Sequence, residues 1–270
     1  MTLLFNPATK QQLTAIADDL PQAILLTGDI GAGLKTAALF LAGQRLAGLI
    51  EPIAQKESAK ASISVARIRE LYEQSHSKSR TQQVFIIDNA DTMSAAAQNA
   101  FLKLLEEPNR HITFILTAHR PSLLLPTVTS RVEQVHILPI TREQSEQLLH
   151  TYKLPPAINA QLLFIASGRP AELTRLANDS GYQAEALRRM SAAKQFIGGT
   201  KLQRSAIAFS HASNREQSLA LLQASIALMA YTLGNNPAQS TVDQLSRLAA
   251  AYDAIAANGN VRLHLMATVV

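Results

Sequence analysis

The sequence predicts an α/β fold: a parallel-sheet domain over residues 1–139, followed by an all-helical remainder. Three observations predict it. Short apolar runs alternate with helical patterns through the first 140 residues, the layout of parallel strands joined by crossover helices. A glycine-rich stretch, Gly28-Asp29-Ile30-Gly31-Ala32-Gly33, sits between a hydrophobic run and a helix-forming segment. From Thr141 onward the strand signal fades and helical periodicity takes over. The chain has 270 residues, 47% of them hydrophobic and 17% charged, which is enough for more than one core and reads as folded throughout.

The elements follow in order. A helix is predicted over 8–18, then a strand over the aliphatic run 23–27, then a helix over 34–46 directly behind the glycines. Residues 48–62 read as a short polar connection. Helices over 65–76 and 95–106 start after Ser64 and Ser94, whose hydroxyls suit the orphan amides of a first turn, and Pro108 closes the second. Strands are predicted at 84–88, 112–117 and 134–138, each an aliphatic or β-branched run bounded by polar residues. Thr141 with Gln144 three residues on forms a capping box, and Gly168 with Pro170 separates two further helices. Breaks at Gly198-Gly199, at 234–237 and at Gly259 divide the rest into a bundle of four or five helices. The expected domains are 1–139, 140–180 and 181–270.

Composition narrows the chemistry. Without cysteine there are no disulfides and no thiolate zinc sites. The opening residues lack a leader's charged and apolar regions, and no apolar stretch reads as a membrane span, so a cytoplasmic protein without membrane contact is expected. A net charge of +5 permits contact with a phosphate backbone. The basic residues are spread along the chain, so direct base reading is not expected.

The glycine-rich stretch matches a phosphate-binding loop in spacing but not in charge. In G-x-x-x-x-G-K-[ST], backbone amides converge on a phosphate at a helix N-terminus, the lysine neutralises phosphate oxygens and the hydroxyl ligates magnesium. Gly28 and Gly33 fit, but Leu34 stands at the lysine position, Lys35 at the hydroxyl position, and Thr36 one residue late. One helical residue turns a side chain by about 100°, which takes Lys35 off the loop axis. Two readings stay open: a turn that keeps only its shape, or a nucleotide site into which Lys35 shifts. Asp88 ends an apolar run and suits an acid holding magnesium through water, or a plain strand-terminating acid. Asn89 occupies the place of a water-activating glutamate, and its amide cannot accept the proton. Asp91 reads as a cap or turn residue. Glu106 and Glu107 oppose the dipole at a helix C-terminus and have no local explanation. His111, His119 and His136 lack the spacing of a metal site, and none is expected.

The stretch AQNAFLKLLEEPNRHITFILTAHRPSLLLPTVTSRV, from Ala97 to Val132, resembles the AAA+ clamp-loader subunits of bacterial replicative DNA polymerase III. Their pattern is similar to A-x-N-A-L-L-K-x-L-E-E-P, then F-I-L-x-T, then L-L-x-T-I-x-S-R-C. On it, Thr117 falls at sensor 1 and Ser130-Arg131-Val132 on the Ser-Arg-Cys motif, with Val132 in place of cysteine. The resemblance implies that Arg131, beside Ser130, is an arginine finger reaching a neighbour's ATP site, where a guanidinium stabilises phosphoryl charge. Ile63-Ser64-Val65 and Ile68-Arg69-Glu70-Leu71 are similar to the segment before the Walker B strand. Gly168-Arg169-Pro170-Ala171 resembles the start of the sensor 2 helix, and 258–263 resembles the collar pattern N-x-N-P-R-L with Val261 for proline. The four-cysteine zinc module of many relatives is missing, so no zinc is implied.

That family implies an AAA+ P-loop parallel-sheet domain, a small helical lid domain and a C-terminal all-helical collar domain. Leu34, Asn89 and Arg131 together resemble its delta prime type. The implied function is a clamp-loader component in DNA replication without ATP hydrolysis of its own. Gly28, Gly31, Gly33, Lys35, Thr36, Asp88, Thr117 and Arg169 then form a degenerate ATP site, empty or holding ATP and magnesium weakly. Implied partners are gamma/tau-type and delta-type subunits, a sliding clamp, and primer-template DNA through its phosphates. The alternatives are an ATP-hydrolysing gamma/tau-type subunit with Lys35 in the lysine role, and a stand-alone AAA+ DNA repair protein.

Overall fold

The computed structural model describes residues 3–54, 61–75, 81–106, 110–235 and 237–269. His76, Glu107, Pro108 and residues 55–60 of the predicted connection lie outside them. The chain divides into two compact units, 1–174 and 175–270.

The first unit is built on five parallel strands: β1 (Ala23–Thr27), β2 (Leu46–Ile50), β3 (Gln83–Ile87), β4 (Ile112–Ala118) and β5 (Glu133–His136), in the order β2-β3-β4-β1-β5. Alternating side chains divide its core. Ile24, Leu26, Val84, Ile86 and Ile115 pack with α1 (Pro7–Asp18) and α2 (Leu34–Ala42), whereas Leu25, Phe85, Ile87, Phe114 and Leu116 pack with α3 (Val65–Ser75) and α4 (Ala95–Glu106). Phe101 of α4 meets Phe114 edge to face, its ring centroid 5.4 Å away. After β4 come the short α5 (Pro126–Thr129) and then α6 (Arg142–His150), α7 (Pro156–Ala166) and α8 (Pro170–Asn178).

Three expectations need correction. The helix predicted over 34–46 stops at Ala42, and the connection predicted from 48 begins inside strand β2. Ala47 and Gly48 give almost no strand signal of their own. The strand exists because Gly48, Leu49 and Ile50 pair with Phe85, Ile86 and Ile87. Glycine is required there, since a Cβ on Gly48 would lie 2.9 Å from the Phe85 ring. The strand predicted at 134–138 forms one residue earlier and ends at His136, where pairing to Thr27 ends.

The second unit is a bundle of five helices: α9 (Ser180–Gly198), α10 (Lys201–His211), α11 (Arg215–Asn235), α12 (Gln239–Ala256) and α13 (Val261–Ala267). The breaks fall at the predicted glycines and at one further place, 212–214, where Asn214 accepts from the Gln217 amide and starts α11. The absence of a span-like stretch is also corrected, because by length and composition α11 is apolar enough to cross a membrane. Interspersed Gln, Ser and Thr residues hide this in a reading by runs. In the unit, Leu221, Leu222 and Met229 of α11 are buried with Phe196, Leu248 and Ile255 of the neighbouring helices.

The capping box forms as predicted, Thr141 Oγ1 accepting from the Gln144 amide at 3.2 Å and Gln144 Oε1 from the Thr141 amide at 3.0 Å. Gly168 closes the turn between α7 and α8 at φ +74°, and a Cβ there would meet the Ile140 carbonyl at 2.6 Å. Gly168→Ala is therefore expected to lower stability by about 1–2 kcal/mol or more, measurable by urea unfolding, because it adds the left-handed penalty to a backbone clash.

Candidate functional site

Because the strands are parallel, the chain leaves each of them at the same edge, where the loop after β1 meets the ends of β2, β3 and β4. Gly31 and Gly33 adopt φ of +89° and +94°, and Gly33 caps α2 without a side-chain bond. Leu34 is buried at 3% exposure, its Cδ2 directed towards Gly28, so the lysine position of the motif belongs to the hydrophobic core. Lys35 turns away from the loop and pairs with Glu51, the residue after β2. The hydrogen bond that Lys35 donates to Glu51 raises the Lys35 pKa above the ordinary lysine value, with the charges of Glu51 and Asp88 adding to it against a burial effect of opposite sign. Thr36 lies beyond it in the first turn of α2.

At the end of β3, Asp88 is buried with both carboxylate oxygens engaged. Thr117 Oγ1 donates to Oδ1 at 2.7 Å, and Asn89 Nδ2 to Oδ2 at 3.4 Å. Thr117 in turn accepts from the Asn89 amide at 2.8 Å, which holds Asn89 in a left-handed conformation. Asp91 takes the turn role expected of it, accepting from the Arg120 amide at 3.1 Å. The next residue of β4's exit, His119, donates from Nδ1 to the Gly28 carbonyl at 2.9 Å and ties the loop to the fourth strand.

Arg169 is not directed at the loop. Its guanidinium donates to the carbonyls of Ala166 at 2.8 Å and Ile165 at 2.7 Å, at the C-terminal end of α7, where a cation offsets the helix dipole. The first turn of α8 covers the loop instead: the Ala171 amide donates to the Gly31 carbonyl at 3.1 Å, and a Cβ on Gly31 would lie 3.3 Å from that of Glu172. The lysine position is filled by the apolar Leu34, and Lys35 and Arg169 are bonded to Glu51 and to the end of α7.

Arg131 lies on the surface after α5. Gln98, buried on α4, accepts from the Leu125 amide at 2.7 Å and donates to the Leu123 carbonyl at 3.1 Å, which fixes the entry to α5. From there Arg131 donates from NH1 to the Thr127 carbonyl at 3.0 Å and pairs through NH2 with Glu106 at 3.1 Å, the two side chains 41% and 53% exposed. Ser130 donates its hydroxyl to the same Thr127 carbonyl at 3.2 Å. Thus the structure brings together the glycines, Lys35, Asp88 and Thr117, and sends Arg169 to α7. Reading the sequence missed Glu51, because β2 was not recognised, and His119, which carries no local signal beyond its place after a strand.

A five-stranded parallel sheet with a glycine loop after its first strand, an acid after its third and a helical extension defines the AAA+ class. The solved structures agree on the fold. A DNA polymerase III gamma subunit-related protein from Thermotoga maritima matches 97% of this chain and 97% of its own at TM-score 0.53 and 19% identity. A RuvB variant from the same organism matches 77% and 82% at TM-score 0.53 and 13% identity.

Sequence carries the assignment further. The family model for DNA polymerase III, delta subunit, matches residues 47–141. DNA polymerase III subunit delta' of Bacillus subtilis is 30% identical over 67% of this chain and 59% of its own length; that of Pseudomonas aeruginosa is 33% identical over 46% and 39%. The matches thus span less than two thirds of either relative. By sequence, the chain is thus similar to DNA polymerase III subunits of delta prime type.

The Lys35–Glu51 pair makes a titration measurable. Lys35 Nζ should titrate above ordinary lysines by NMR and fall back in Glu51→Gln. A raised folded-state pKa means that the pair's contribution is present at neutral pH and lost as pH rises through that raised value.

Proposed function

We propose that this chain is a clamp-loader component of DNA polymerase III, of delta prime type, which supplies Arg131 to the ATP site of a neighbouring subunit and hydrolyses no ATP itself. One observation carries the proposal: buried Leu34 fills the lysine position of the chain's own loop and Lys35 turns from it to Glu51, while Arg131, at the surface after α5, keeps guanidinium donors to spare. A guanidinium presented this way suits phosphoryl charge arriving from another chain. The relatives support the setting, since DNA polymerase III subunit delta' and subunit gamma/tau sequences both match. By this reading the partners are gamma/tau-type and delta-type subunits, a sliding clamp, and primer-template DNA contacted through phosphates. The complex works in the cytoplasm and the chain needs neither zinc nor a bound nucleotide.

Two expected outcomes test it. A fluorescent ATP analogue titrated onto the purified chain should show no micromolar binding; binding with turnover would favour an ATP-hydrolysing gamma/tau-type subunit. Arg131→Ala should leave the assembled complex intact and lower its DNA- and clamp-stimulated ATP hydrolysis by about tenfold or more. Unchanged hydrolysis in that complex would remove the arginine-finger assignment. A purified chain that forms a homo-oligomer and ignores gamma/tau-type and delta-type chains would favour a stand-alone DNA repair protein.

A further inference from the structure

The acid at the end of α4 stands out once the rest of the site is accounted for. Glu106 is the last residue of that helix, where a carboxylate opposes the dipole, and its side chain is 53% exposed, so neither helix stability nor core packing explains it. An ion pair this exposed adds little to folding stability. What Glu106 does have is a defined partner, Arg131 NH2 at 3.1 Å.

The same guanidinium also donates from NH1 to the Thr127 carbonyl at 3.0 Å. The two acceptors come from different helices, α4 and α5, whose mutual position is fixed by the buried Gln98 junction. A guanidinium has five N–H donors in one plane. Two are used here, which leaves Nε–H and one hydrogen on each terminal nitrogen for a further acceptor. An arginine free in solvent would have to give up its rotamer freedom on reaching a phosphate; one already held at two points loses less.

We propose that Glu106 is a positioning residue for Arg131: it holds the guanidinium, together with the Thr127 carbonyl, in the orientation in which its remaining donors meet a phosphate of the adjacent subunit. This rests on the arginine-finger reading of Arg131. Glu106 itself touches no phosphate, since its charge would repel one, and it acts only through the arginine.

The test uses the complete complex with its cognate gamma/tau-type and delta-type subunits, assembled with wild-type chain, Glu106→Ala, Glu106→Gln, Arg131→Ala and the double variant Glu106→Ala/Arg131→Ala. Stimulated ATP hydrolysis is resolved into kcat and KM for ATP, and size-exclusion chromatography verifies that each complex assembles. Glu106→Ala should lower kcat several-fold with KM nearly unchanged. Glu106→Gln, which keeps an acceptor oxygen, should recover most of the loss. The double variant should equal Arg131→Ala, because without the guanidinium the carboxylate has nothing to position. If Arg131→Ala lowers kcat while Glu106→Ala matches wild type, or if the double variant falls well below Arg131→Ala, the positioning role is overturned and the finger stands. If Arg131→Ala itself changes nothing, the finger fails, and Glu106 loses its role with it.

Discussion

All five strands run the same way, and this constraint determines the rest of the site. Parallel pairing places the ends of β1, β2, β3 and β4 along one edge, so a glycine loop, Glu51, Asp88, Thr117 and His119 become neighbours although they are spread over some ninety positions of sequence. In an ATP-hydrolysing protein the polar groups of such an edge are directed at a ligand. Here they are directed at each other: Lys35 at Glu51, Thr117 and Asn89 at Asp88, His119 at the Gly28 carbonyl, and the Ala171 amide at the Gly31 carbonyl.

This internal satisfaction gives the altered loop a physical meaning. Burying Leu34 at the lysine position stabilises the packing of α2 on the sheet and leaves that position without a charge. The loop keeps its left-handed glycines because the chain must still turn sharply from β1 into α2 and pass beneath the first turn of α8. Shape is retained for folding, while Lys35 turns from the loop to Glu51 and Arg131 lies at the surface after α5.

Much of this was legible in the sequence, and the failures have physical causes. β1, β3 and β4 were readable because strands buried on both faces are continuous aliphatic runs. β2 was not, because Ala47 and Gly48 carry little strand propensity and Gly48 instead suits a close approach to Phe85, and with it went Glu51 and the fate of Lys35. Asp88 and Thr117 were legible from their places at strand ends, though not their direct bond. Arg169 could be placed at the head of α8 but not aimed, since whether a guanidinium turns to a loop or to helix carbonyls depends on tertiary geometry. Glu106 looked anomalous beside a helix dipole, and only the return of the chain through α5 supplies its counter-charge.

The most direct test of the account is a structure of the assembled complex with a non-hydrolysable ATP analogue at saturating concentration. The account predicts nucleotide in the loop of the adjacent subunit with Arg131 within hydrogen-bond reach of its terminal phosphate, and no nucleotide between Gly28 and Thr36. Nucleotide bound in this chain's own loop, with Lys35 swung from Glu51 onto the phosphates, would contradict it.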